Sequence, residues 1–187
     1  MRNRLIQALR PVAPGIATMV ADDRTGLTVL PAAWLSGWTL IDAQQPGARH
    51  ARRVHLALSE RAEVQVLTGR PEAFDAVVRG SEPSADTAIA IGRAFLDTTR
   101  TFEKWSYRVE RPEEIVGLPE HTDPILADLR IEITPPLPVA GPAGWSLRLW
   151  TVTGTSLIRH DLCVRRDRTV EDRATVAAPD LAVPDSV

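Results

Sequence analysis

Residues 145–165 constrain this chain more than any other stretch. Two runs, 145–152 and 156–165, alternate between apolar and polar side chains on either side of Thr153-Gly154-Thr155. Alternation is the two-residue period of a half-buried strand, and a short glycine-containing gap between two such runs closes a β-hairpin. A chain with this hairpin must build an antiparallel sheet and cover its apolar face.

Shorter runs of the same kind recur. Residues 53–58 put Val54, Leu56 and Leu58 on one face and Arg53, His55 and Ala57 on the other, with 63–67 as the hairpin partner. Residues 16–21, 26–30, 38–41, 105–109, 125–134 and 169–176 read as further strands, and 42–47 as a loop. The segment 30–40, with Trp34 and Trp38, fits neither the helical nor the strand period, and reads as a short helix, a lid or a subunit contact.

Three helices interrupt the strands. Residues 2–10 put Leu5, Ile6 and Leu9 on one face, and Pro11 and Pro14 stop them. Residues 71–79 begin at Pro71, a residue suited to a first helical position, and Gly80 suits the stop. Ser84 can cap a longer helix over 85–100. Its small residues Ala88, Ala90, Gly92 and Ala94 invite close packing.

The expectation is α+β: a curved, mainly antiparallel sheet of about 8–10 short strands around a central helix 85–100. A hot-dog-like or barrel-like closure fits this order of elements. One domain is expected over 1–176, with helix and strands recurring on either side of 81–84, and a flexible tail over 177–187.

Composition narrows the function classes. The 187 residues can bury a core without a disulfide or metal staple. Lys+Arg number 22 and Asp+Glu 24, a net charge of −2, so there is no basic field for nucleic acid. Lys104 is the only lysine; the other basic side chains are arginine. Cys163 stands alone, which leaves no internal disulfide and no cysteine zinc cluster. No phosphate-binding loop, dinucleotide fingerprint or nucleophile elbow is found. His121 with Glu120 and Asp123 matches no metal-binding spacing. No apolar run nears the roughly 18 residues of a membrane helix. The N-terminal arginines are followed by Pro11, Pro14 and Gly15, which do not suit a signal peptide. These points predict a cytoplasmic protein with no cofactor, no metal, and no nucleic-acid or membrane partner. Its expected partner is a small-molecule substrate or ligand, and self-association into a homo-oligomer is compatible.

His160 is the residue out of place. Alternation puts it on the apolar face with Ile158, Leu162 and Val164. Tyr107 stands in a similar position between Trp105 and Val109, and Thr151 beyond Leu147 and Leu149. If the sheet curls, His160, Tyr107 and Thr151 converge in an apolar cavity, with His160 and Tyr107 as general acid and base and Trp105 beside them. The plainer alternative is a core histidine satisfied by its neighbours. On the opposite face Arg108, Glu110, Arg148, Arg159 and Asp161 form a charged surface. It is either a solvated pairing of charges or a place where Arg148 and Arg159 hold an anion. Trp150 interrupts it, as a docking spot or a ligand-stacking wall beside the arginines, or under a terminal segment.

Two functions follow as expectations. One is a cofactor-independent enzyme doing acid–base chemistry on a mostly apolar small molecule: a dehydratase, cyclase, isomerase or thioesterase. The other is a non-catalytic module that senses a ligand or binds a partner. An open cavity beside His160 favours the first, and a filled core there the second.

Overall fold

A computed structural model of the chain describes residues 1–47, 51–118, 127 and 132–184. The fold is α+β, and the chain divides into two compact units, Met1–Val78 and Arg79–Val187.

In the first unit, α1 (Arg2–Leu9) and α2 (Pro14–Ala21) precede an antiparallel meander. Its strands are β1 (Gly26–Val29), β2 (Trp38–Gln45), β3 (Arg52–Ser59) and β4 (Val64–Val66), in that order, and α3 (Pro71–Val78) follows. Leu5 and Leu9 of α1 and Ala17, Met19 and Val20 of α2 pack with Ile41, Ala43, Val54, Leu56 and Leu58. Residues 16–21 are therefore helical where a strand was expected. A short apolar run carries no decisive period, and Pro14 at the first turn presets helical backbone. The Arg2 guanidinium ties the end of α2 to β1, donating to the carbonyls of Asp22 at 3.0 Å and Thr25 at 2.6 Å. β2 also runs on through 42–45, expected as loop. Asp42 can lie within a strand because Arg53, on the neighbouring strand, donates to both its oxygens at 2.9 Å.

The second unit holds α4 (Ala85–Thr99), β5 (Ser106–Val109), a 3-10 turn at Pro112–Glu114, β6 (Val139–Ala140), β7 (Gly144–Thr153), β8 (Ser156–Arg165) and β9 (Val170–Ala178). Its sheet runs β5-β7-β8-β9, all antiparallel, with β6 also on β7. β7 and β8 pair over their full length around the two-residue turn Gly154-Thr155, with Gly154 at φ +56° as a tight hairpin requires. The strands thus form two sheets and not one wrapped around a helix, and among the described residues neither closes into a barrel. The boundary strands β4 and β5 have only three and four residues, and two helices separate them in sequence. Among the described residues the order helix, helix, four-strand meander occurs twice, with β6 added the second time.

Helix α4 packs on β7 and β8. Ser84 caps it by accepting from the Thr87 N–H, and the Trp145 indole donates to the Pro83 carbonyl at 2.9 Å. Gly92 makes the contact close: a Cβ there would meet Leu147, Leu162 and Leu149 methyls at 3.0, 3.2 and 3.3 Å. Residues 178–183 are also packed. Ala178, Leu181 and Val183 are buried, and the Leu181 N–H donates to Thr155 at 2.7 Å, where fraying from 177 was expected. The apolar side chains at 181 and 183 have a sheet face to cover. Of the strand expected over 125–134, most lies outside the described residues; 132–134 are not strand, and Ile133 is buried.

Gly92→Val drives two methyls into the leucine trio. Overpacking of this kind costs about 2 kcal/mol, more than the few tenths gained in helix propensity. Urea denaturation should show a lower midpoint with an unchanged slope.

Candidate functional site

The register of the second sheet sorts its side chains into two faces. Leu147, Leu149 and Thr151 of β7 share a face with Ile158, His160 and Leu162 of β8, and with Asp172 and Ala174 of β9. This is the face under α4, since Gly92 meets its leucines. Arg108 of β5 stands opposite Thr151 and belongs to it. Trp150, Val152, Tyr107 and Val109 lie on the other face.

Two of the three polar groups expected to converge do so. The Thr151 hydroxyl and His160 Nε2 are 3.0 Å apart, and His160 Nδ1 lies 2.8 Å from an Asp172 carboxylate oxygen. Asp172, which the alternation of 169–176 places among apolar neighbours, completes the chain and was missed in the sequence. The carboxylate fixes the imidazole's orientation: an ionised Asp172 only accepts, so Nδ1–H donates to it, and in the neutral ring Nε2 accepts from the Thr151 hydroxyl. Chemically this is an Asp–His–hydroxyl relay. Thr151 is 7% exposed and the His160 side chain 12%, so these two are largely covered, while the Asp172 end of the relay is exposed.

Tyr107 does not join it. Its ring lies on the opposite face, 4.5 Å from the Trp105 ring, and its hydroxyl accepts from the Val116 N–H at 2.9 Å. Burial pushes the phenol up from its ordinary pKa, against the smaller effect of that hydrogen bond. The acid–base pair His160/Tyr107 is therefore corrected: the two are separated by the sheet. The reason is the β5 register, which opposes Tyr107 to Val152. Arg108 and Glu110 change sides in consequence. They do not join Arg148 on the outer surface. Glu110 takes two bonds from Arg93 of α4 at 2.7 and 2.6 Å, and Arg108 pairs with both Glu110 and Asp97.

Trp150 is 4% exposed and belongs to a core with Val109, Val152, Leu157, Ile115, Ile133, Leu181 and Val183. The terminal segment covers it, so it lines no open site. His55, expected on a polar surface, is 2% exposed and lies 3.6 Å from Asp42 across β2 and β3.

Beyond Trp150 none of the described residues covers the same outer face. A groove of about 920 Å³ opens there, floored by Ser146, Arg148, Asp161, Cys163, Glu171 and Arg173 and edged by Leu137 and Val139. Asp172 touches it, while His160 and Thr151 do not line it. Arg148 Nε donates to one oxygen of Asp161 at 3.1 Å and Arg159 Nε to the other at 3.0 Å. Arg173 stands opposite Asp161 and makes no ion pair among the described residues. Arg165 pairs with Glu171. Arg148 and Arg159, expected to contact a ligand, are thus together, and Thr151, Trp105 and Trp150 are elsewhere.

Among the described residues no group of three or more His, Cys, Asp or Glu is placed to hold a metal, and no helix is long and apolar enough to cross a membrane. His121 lies outside the described residues. No protein-family model, curated protein or solved structure matches the chain.

The Thr151–His160 bond is testable as a structural element. Thr151→Val leaves a mostly buried imidazole nitrogen unpaired, at a cost of about 1–2 kcal/mol. Adding His160→Leu removes both partners, and the double variant should lose less than the sum of the two singles in urea denaturation.

Proposed function

We propose that this chain is a binding module whose ligand sits in the groove on the outer face of β7, β8 and β9. The observation that carries this reading is the contrast in access. The groove is open and its floor holds guanidinium groups only partly engaged, while the His160–Thr151 pair is covered and outside its lining. A volume of about 920 Å³ suits a small-molecule ligand or a short peptide segment. Cys163, the sole cysteine, lies on the groove floor and reports on occupancy. Ser146→Trp should fill the groove, slow the reaction of Cys163 with a thiol reagent several-fold and leave the thermal midpoint nearly unchanged. Unaltered thiol reactivity in the folded variant argues against the reading.

The relay Asp172–His160–Thr151 supports a second reading, hydrolytic or acid–base catalysis with His160 as base. It requires an opening to Thr151 Oγ1 and hydrogen-bond donors for the developing oxyanion. His160→Gln separates the two: ligand binding in the groove persists if the chain is a binding module, and turnover of any substrate ceases if it is an enzyme.

A further inference from the structure

We propose that β9 is the contact strand of a homodimer: its free edge pairs antiparallel with β9 of a second copy, joining two five-stranded sheets into one. The proposal is independent of the groove and its ligand. Five strands end a sheet among the described residues, and four of them are short: β1 and β5 have four residues, β4 three and β6 two. Edge strands are ordinarily kept short, or are interrupted by proline or a bulge, because an open row of N–H and C=O groups recruits another chain. β9 has nine residues, no proline and no lysine, and its register on β8 is unbroken from Val170 to Val176. Residues 171–176 are all exposed.

The ladder fixes which backbone groups are open. The Arg165 N–H donates to the Thr169 carbonyl at 2.9 Å, so the hydrogen-bonded pairs that follow are Cys163–Glu171, Asp161–Arg173 and Arg159–Thr175. Asp172, Ala174 and Val176 alternate with them and turn their N–H and C=O groups away from β8. The Asp172 side chain is 21% exposed while the residue as a whole is exposed, so its backbone is open to solvent.

Side-chain charge then selects the register. Pairing across a two-fold axis must bring these open residues opposite one another. An axis at Asp172 or at Arg173 sets a like charge against itself, which destabilises a cross-strand pair. An axis at Thr175 engages only Ala174 and Val176 of the three. An axis at Ala174 engages all three, and sets Asp172 opposite Val176 and Arg173 opposite Thr175, with no like charges opposed. The Asp172 carboxylate enters this register already bonded to His160. Val176, 57% exposed in one copy, gains a cover from the partner strand.

Sedimentation velocity on the full chain over a concentration series tests this. A dimer should form reversibly as concentration rises, and a chain that is monomeric at every concentration overturns the proposal. Ala174→Pro removes an N–H that points away from β8, so it spares the existing ladder and blocks the new one. It should weaken the dimer about tenfold or more. Val176→Glu and Val176→Lys serve if proline disturbs the fold, since that side chain is exposed. Opposite Asp172 of the other copy, glutamate should weaken the dimer several-fold and lysine should tighten it. A dimer indifferent to folded Ala174→Pro and to both charges at position 176 uses another surface, which overturns the proposal. Weakening by Ala174→Pro with an equal response to the two charges supports the β9 edge and overturns the Ala174 register.

Discussion

The approach of α4 to β7 and β8 at Gly92 decides how the second unit is used. A glycine lets the helix come within van der Waals reach of Leu147, Leu149 and Leu162, which makes that face of the sheet interior along β7 and β8. Everything polar on it must then be satisfied locally. Thr151, His160 and Asp172 satisfy one another, and Arg108, Glu110, Arg93 and Asp97 form an ion-pair network between α4 and the end of β5. Buried polar groups gain little net stability from such bonds but cost heavily when one partner is removed.

The opposite face is divided along its length. At the hairpin end, Trp150, Val152 and Leu157 are covered by Ile115, Ile133 and the segment carrying Leu181 and Val183. Toward Ser146 and Cys163 the covering ends, and the side chains turn from apolar to charged. The groove is the uncovered remainder of a sheet face whose other half is core. Its floor sits on ladder-paired backbone, and its charges hold fixed spacing across the strands.

Much of this was legible in the sequence, and the misses have physical causes. The hairpin, the capped helix 85–100, the close packing at Gly92 and the placing of His160 beside Thr151 all follow from alternation, capping and side-chain size. Tyr107 went to the wrong face because alternation fixes which residues of one strand share a side, but not which side meets the next strand. A clue was present: Trp150, Val152 and Leu157 are apolar on the nominally charged face, and that is the face Tyr107 and Val109 join. Residues 16–21 were misread because a six-residue run, apolar but for Thr18, can serve either period. His55 was misread because a strand buried on both faces has no polar side, and its burial depends on tertiary packing. Asp172 was overlooked because a lone acid in an alternating run reads as solvent-facing unless its basic partner on the adjoining strand is known.

The glycine contact reaches across the sheet to the groove. Leucine side chains locked beneath α4 hold β7 and β8 in place, and Arg148, Asp161 and Arg173 stand in a row on the far side of the sheet. A ligand entering there would meet a preorganised set of charges and would not have to immobilise a loop. Strand spacing sets the distance between those charges, so it is hard to retune by changing one side chain.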